Sequence, residues 1–143
     1  MNKTYLAPTK NYSTWYIIDA KNKNLGRLSS KIAKLLRGKN SISFTPYVNN
    51  KIYIILINSR SINVTGKKFV QKTYKRHSGY PGGLKVQKFN EILNQRPNRI
   101  LEKSIKGMLP KGILGRQLFR QLKIYPDNIH PHESQQPKII TFI

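Results

Sequence analysis

The lysine and arginine residues of this 143-residue chain are its clearest candidates for a chemical role, which is the binding of negative charge. Between Asp19 and Glu91 the chain runs for 71 residues without a carboxylate, and sixteen of those residues are basic. A solvated surface normally mixes both signs of charge, because interspersed acids relieve repulsion among the bases. The acid-free stretch therefore predicts a partner that carries the missing negative charge, and a phosphate backbone is the obvious candidate.

The whole composition points to a folded domain with a basic exterior. There are 27 bases against 5 acids, a formal net charge of +22. The length predicts one domain, large enough to bury a core. The apolar residues recur with regular spacing, which favours a folded protein over the alternative of a wholly disordered basic chain. Cysteine is absent, which excludes disulfides and thiolate metal sites, and no apolar run approaches the length of a membrane span.

Local patterns predict strands that alternate with helices, and hence an α/β fold with a small, mainly parallel sheet flanked by helices. The run at 52–57 is apolar without alternation, which is typical of a strand buried on both faces. The predicted elements are strands at 15–19, 52–57 and 62–64, an exposed extended stretch or loop at 67–85, and helices at 25–38, at 89–94, from Pro97 onward and at about 113–123.

Two of the predicted helices carry bases of like charge one turn apart. These pairs are Arg27 with Lys31 and Arg116 with Arg120. Each pair costs an isolated helix about 0.2–0.5 kcal/mol. Docking on phosphates would reverse that cost and release condensed counterions. The alternative is that these helix faces are merely solvated, as most charge runs are.

The 67–85 stretch mixes bases, aromatic residues and glycines, and it is the best candidate for close contact with RNA. Tyr74, His77 and Tyr80 could stack on unpaired bases. Glycines at 79, 82 and 83 would let the backbone approach the sugar-phosphate chain. The alternative for Tyr74 is a half-buried aromatic residue of a strand. The bases that could reach phosphates are Lys67, Lys68, Lys72, Lys75, Arg76 and Lys85.

Other chemistries are poorly supported by the sequence. The segment 66–68 lacks the spacing and the Ser or Thr of a P-loop, and the glycines at 79–83 do not form a dinucleotide fingerprint. His130, His132 and Glu133 could be imagined as a metal site, but histidines that make ordinary hydrogen bonds are the better interpretation. The five carboxylates are scattered along the chain and suggest no acid–base pair. We therefore predict neither an enzyme nor a cofactor or metal site.

The segment KGMLPKGILGRQLFRQLKIY at 106–125 closely resembles the signature block of large-subunit ribosomal protein L13 of the bacterial and organellar type. Shorter matches occur in the same order along 15–137. These are WYIIDA at 15–20, LGRL at 25–28, LRGK at 36–39, TP at 45–46, VTG at 64–66, HSG at 77–79, GG at 82–83, RP at 96–97, and the histidine at 130 with QQP at 135–137.

The resemblance implies a compact α/β domain that binds large-subunit rRNA, contacts neighbouring ribosomal proteins and supports early subunit assembly. It also implies that the 108–110 turn orients Lys106, Lys111 and Arg116. Taking the helix faces, the 67–85 stretch and the resemblance together, the candidate RNA-binding residues are Arg27, Arg37, Lys39, Lys67, Lys68, Lys72, Tyr74, Lys75, Arg76, His77, Lys85, Lys106, Lys111, Arg116, Arg120 and Lys123.

The chain departs from the family at 49–52, where NNKI replaces a turn that often contains two acids and a glycine, and also at 126–127. We expect an irregular N-terminal arm at 1–14, the RNA-binding domain at 15–125 and an irregular C-terminal tail at 126–143. A second acid-free segment, from Lys103 to Pro126, holds six bases. It predicts two basic surfaces, which could hold separate RNA segments together.

Two other classes of function remain as alternatives. One is a free-standing regulator that reads bases in RNA or DNA, and the other is an enzyme that acts on nucleic acid. Lys, Asn, Ile and Tyr supply 58 of the residues and alanine only three, a bias that follows A/T-rich codons. Together with the absence of a transit peptide, this bias predicts ribosomes of the plastid (chloroplast) stroma as the location, with the bacterial cytoplasm as the alternative.

Overall fold

A computed structural model describes residues 13–42 and 44–142 of this chain, and it contains a four-stranded parallel sheet. The strands β1 (Thr14–Asp19), β2 (Ile52–Ile57), β5 (Leu122–Ile124) and β6 (Lys138–Ile139) lie in the order β5-β2-β1-β6. Thr14 pairs with Ile52 and Asp19 with Ile57. The predicted α/β class with a mainly parallel sheet is confirmed. The predicted arm at 1–14 lies outside the described residues except for its last two positions.

The remaining elements surround this sheet. An antiparallel hairpin is formed by β3 (Thr73–His77) and β4 (Leu84–Lys88). The helices are α1 (Leu25–Leu36), α2 (Lys68–Gln71), α3 (Phe89–Gln95), α4 (Asn98–Met108) and α5 (Ile113–Arg120), with 3₁₀ turns at Ser59–Ser61 and Glu133–Gln135. Within the described part of the chain, none of the helices is long and apolar enough to span a membrane.

The main core lies between one face of the sheet and helices α1 and α4. Strand β2 is fully buried at its centre, as its unbroken apolar run predicts, and Ile54, Ile55 and Leu56 are each 0% exposed. Apolar residues at helical spacing close the core from the other side, because the 3.6-residue repeat keeps them on one helix face. These residues are Leu28, Ile32 and Leu36 of α1 and Ile100, Leu101 and Ile105 of α4.

The C-terminal segment covers the second face of the sheet. The rings of Trp15 and Tyr53, which are paired across β1 and β2, stack with centroids 4.4 Å apart. His132 lies against Trp15 at 5.4 Å, and its Nε2 lies 2.8 Å from the hydroxyl of Tyr125. The segment after Tyr125 is largely irregular, as predicted, but it also supplies edge strand β6 beside β1. Both faces of β2 are thereby buried.

A partly buried amide side chain, that of Asn98, fixes the start of α4. The Asn98 side chain accepts a hydrogen bond from the Ser59 hydroxyl at 2.6 Å and donates one to the Ile124 carbonyl at 3.0 Å. Asn98 follows Pro97, whose fixed φ suits the beginning of a helix. The N-terminus of α4 is therefore tied to the end of β5, which sets the direction of the helix across the core.

Three local predictions differ from the structure. The segment 62–64 is not a strand, because its backbone pairing is limited to an isolated bridge between Asn63 and Asn24. The last predicted helix ends at Arg120 rather than Lys123, because Leu122–Ile124 pair with β2 instead. The 67–85 stretch is exposed and partly extended in β3 and β4, as expected, but the short helix α2 at its start was not predicted.

The family departure at 49–52 forms an ordered turn. The Asn49 side-chain oxygen accepts hydrogen bonds from the Lys51 amide and from the Gln121 side chain, both at 3.0 Å. Lys51 has a φ of +50°, in the left-handed region. Asn50 is buried and packs on Gly38, whose φ is +76°. The side-chain bonds of Asn49 thus shape a turn that contains neither the glycine nor the acids of the family pattern.

Gly115 is a packing requirement of the 106–125 block. A Cβ added there would overlap the carbonyl oxygen of Pro110, whereas one added at Gly107 would meet nothing within 4 Å. We predict that Gly115→Ala lowers the free energy of unfolding by about 1–3 kcal/mol, because backbone must move. Gly107→Ala should be neutral or stabilise α4 by up to about 1 kcal/mol. Urea unfolding of both variants measures the difference, and equal midpoints would contradict this account of Gly115.

The packing of His132 predicts that stability falls in mild acid. Burial, and secondarily the nearby Lys123 and His130, lowers the pKa of His132 below its ordinary value of 6.5. Above that value the ring is neutral in both folded and unfolded chains. As the pH falls below it the unfolded chain binds the proton more readily, so stability is lost. The melting temperature should decrease from about pH 7.5 to about pH 5.5.

The matched substitutions are His132→Gln, which removes this titration, and His77→Gln on the exposed hairpin. We expect the first to flatten the pH dependence of the melting temperature and the second to leave it unchanged. A pH dependence of the same size in the wild type and in His132→Gln would show that other groups cause it.

Candidate nucleic-acid interface

The β3–β4 hairpin presents one face toward α4. Successive strand residues point to opposite faces, so Tyr74 and Arg76 of β3 share a side with their partners Gln87 and Lys85 of β4. All four side chains line the same depression beside α4. The face that carries Tyr74 and Arg76 therefore meets α4, and Lys75, although it belongs to the other face of the strand, lines the same depression.

The hairpin places like charges directly opposite one another. Arg76 pairs with Lys85, an arrangement that destabilises a sheet unless an anion intervenes. Tyr74 is half-buried, as its alternative interpretation predicted. All the remaining strand positions of the hairpin are exposed. A two-stranded hairpin is marginal alone. A 2.9 Å hydrogen bond from the Phe89 amide to the Lys72 carbonyl closes the base of the hairpin, and the fully buried Phe89 anchors that base in the core.

The space between the hairpin, α4 and α5 forms a depression of about 460 Å³, which we call the hairpin groove. Its floor is apolar and its rim is basic, and Glu102 is the only carboxylate among its lining residues. The lining consists of Tyr74, Lys75, Arg76, Lys85, Gln87, Ile92, Arg99, Ile100, Glu102, Lys103, Lys106 and Phe119.

Lysine ammonium groups lie over the aromatic rings of the groove. The Nζ atoms of Lys103 and Lys72 are 4.7 Å and 5.6 Å from the ring centroid of Tyr74. The Nζ atom of Lys106 is 5.7 Å from that of Phe119. Burial raises the pKa of Tyr74 above its ordinary value, so its hydroxyl stays protonated at neutral pH. The groove thus offers neutral aromatic surface with mobile cations beside it, which suits stacking next to a phosphate.

Two further depressions adjoin the groove along α4. One, of about 400 Å³, lies between α4 and α5 and shares Lys106 and Phe119 with the groove. The other, of about 430 Å³, lies among α1, α2 and α4, and its Lys72 reaches over Tyr74. Basic residues from both acid-free segments of the sequence, such as Arg76 and Lys106, line the hairpin groove together, so the two segments do not form separate surfaces there.

The structure brings together most of the predicted RNA-binding residues around α4 and leaves others apart. Tyr74, Lys75, Arg76, Lys85 and Lys106 line the hairpin groove. Lys111, Arg116 and Arg120 line the α4–α5 depression, and Arg27, Lys68 and Lys72 line the third. The predicted residues outside these depressions are Arg37, Lys39, Lys67, His77 and Lys123.

Several residues of the groove, chiefly Arg99 and Lys103, are not among the RNA-binding residues predicted from the sequence. Both lie on the exposed side of α4, and together with Lys106 they follow an i, i+4, i+7 spacing. That spacing, opposite the buried Ile100, Leu101 and Ile105, is the signal that could have found them.

The turn of the hairpin has a fixed local structure. His77 Nδ1 accepts a 2.9 Å hydrogen bond from the Gly79 amide, which ties the ring to the turn. Gly79 and Gly82 adopt φ values of +96° and +73°, which favour glycine. Tyr80 is 76% exposed at the tip. Tyr80 thus presents an accessible ring for stacking.

The imagined metal site at 130–133 gains no support. Across residues 13–42 and 44–142, no three His, Cys, Asp or Glu side chains are grouped so that they could hold a metal ion. His132 instead faces Tyr125 and Trp15, as the hydrogen-bonding interpretation of these histidines predicts.

Comparison with known proteins agrees with the resemblance in the sequence. Residues 13–131 match the family Ribosomal protein L13. Large ribosomal subunit protein uL13c of Porphyra purpurea is 54% identical over 138 residues, covering 96% of this chain and 97% of its own length. The protein of the same name from Pyropia yezoensis is 55% identical over 138 residues, with the same coverage. Large ribosomal subunit protein uL13 of Prochlorococcus marinus is 50% identical over 142 residues, covering 99% and 95%. With a basic, groove-bearing α/β domain and these relatives, the chain belongs to the ribosomal protein L13 family.

Proposed function

We propose that this protein is a structural constituent of the large ribosomal subunit that binds rRNA and supports early subunit assembly. The observation that carries the proposal is the basic lining of the hairpin groove, which two distant segments of the chain build together. Bases gathered in this way repel one another in the free protein, and a phosphate backbone would relieve the repulsion. The relatives are named as proteins of the large subunit, which supports large-subunit rRNA as the proposed RNA.

The proposed role is binding without catalysis. Glu102 is the one carboxylate that lines the hairpin groove, so a second carboxylate for acid–base chemistry is not among its lining residues. Neighbouring large-subunit proteins are proposed as further partners. We also propose plastid ribosomes as the location, with the bacterial cytoplasm as the alternative. Relatives named uL13c and uL13 match the chain at similar identity, so they do not distinguish the two locations. The proposal of a plastid location therefore rests on the A/T-type amino-acid composition.

We predict that Lys103→Gln/Lys106→Gln weakens binding to full-length large-subunit rRNA and lowers the slope of log K against log[salt] by about 2. Each lost phosphate contact reduces the slope by about 1. The matched control is Lys21→Gln/Lys138→Gln, which removes the same charge from exposed positions that do not line the depressions. Filter binding between low and moderate salt measures both slopes. Equal slopes in the two double variants would show that the groove is not the interface.

Sedimentation of a native extract separates a ribosomal constituent from a free-standing regulator. We expect the full chain to sediment stoichiometrically with large subunits at moderate salt. A chain that stays at the top of the gradient would contradict a ribosomal role and favour the regulator.

A further inference from the structure

Glu102 is an unpaired carboxylate in a basic groove. It is exposed on α4, next to Lys103 and one turn from Lys106. Among the described residues the ion pair within 4 Å is that of Arg60 with Asp127, so none of these lysines neutralises Glu102 at that distance. An acceptor-only group at this position repels phosphate, and phosphate attraction alone therefore does not account for it.

The groove has the shape and lining of a site for a planar ring. Its volume of about 460 Å³ falls within the range of small-molecule sites. The side chains of Ile92, Ile100 and Phe119 provide apolar surface, and Tyr74 provides an aromatic face. The ammonium groups over these rings belong to Lys103 and Lys106, whose side chains are long and flexible. A nucleobase could therefore take their place on the rings while the ammonium groups move to the phosphates of the nucleotide.

The carboxylate selects among the four bases by its hydrogen-bonding capacity. Both oxygens of Glu102 accept and neither donates. Guanine presents two adjacent donors, N1–H and the N2 amino group, on its Watson–Crick edge, which suits a bidentate carboxylate. Uracil offers a single donor between two carbonyls, and adenine and cytosine each offer one amino group beside an acceptor. Stacking on Tyr74 would tolerate any base, so Glu102 would supply the preference.

We propose that the hairpin groove holds one unstacked guanine of the bound RNA, stacked at Tyr74 and recognised on its Watson–Crick edge by Glu102. This inference rests on the proposed rRNA binding and adds a base-specific site to it. The basic rim at Lys75, Arg76 and Lys85 then holds the phosphates on either side of the flipped nucleotide.

The test uses three oligoribonucleotides of about nine nucleotides. Their flanking nucleotides are all uridine, and the central nucleotide is guanosine, inosine or uridine. Fluorescence anisotropy with the full chain at low salt gives the three affinities. We expect the guanosine oligomer to bind about tenfold more tightly than the uridine oligomer. The inosine oligomer, which lacks the N2 amino group, should lie between them.

Glu102→Gln should abolish the guanosine preference, because the amide offers one acceptor and one donor in place of two acceptors. Its matched control is Glu133→Gln, the same chemical change at an exposed position outside the groove, which should keep the preference. Tyr74→Ala should weaken binding of all three oligomers by about tenfold, since stacking is not base-specific.

Equal binding of the three oligomers to the wild type, or a preference that survives in Glu102→Gln, would overturn the guanine site. So would a lack of oligomer binding when full-length large-subunit rRNA, measured in parallel, binds with a steep salt slope. In each of those results rRNA binding itself stands. Failure of both the oligomers and the full-length rRNA to bind would contradict the proposed function as well.

Discussion

The burial of β2 on both faces is the constraint on which the rest of the structure depends. A central parallel strand with Ile54, Ile55 and Leu56 fully removed from water needs cover on each side. Helices α1 and α4 supply it on one face, and the C-terminal segment, through His132 and its neighbours, supplies it on the other. Because this segment must return across the sheet, β6 can pair with β1 at the sheet edge.

Helix α4 connects that core to the candidate interface. Its buried side carries Ile100, Leu101 and Ile105, and its other side carries Arg99 and Lys103 toward the hairpin. The helix is fixed at its start by hydrogen bonds to Asn98, so its outer face cannot rotate relative to the core. The backbone that carries Arg99 and Lys103 is therefore positioned by packing in the core, although their long side chains stay flexible.

The charge distribution has an energetic consequence for the free protein. With 27 bases and 5 acids, favourable ion pairs are scarce, and the hairpin even opposes Arg76 to Lys85. A polyanion that binds the folded chain stabilises it by mass action, and it also removes part of this repulsion. Stability and RNA binding should thus be coupled more strongly than in a domain of balanced charge.

Local sequence pattern and composition are sufficient to predict the class of fold, most of the helices, the double burial of 52–57 and the basic character of the candidate interface. Each of these follows from local periodicity or from composition, which need no knowledge of distant contacts. The three-dimensional structure was needed to show that 122–124 pair as a strand, that the tail covers the sheet, and that Tyr74 meets Lys103. Strand pairing and side-chain clusters join residues far apart in the chain, and the local pattern around Lys103 or Glu102 contains no sign of the hairpin that lies across from them.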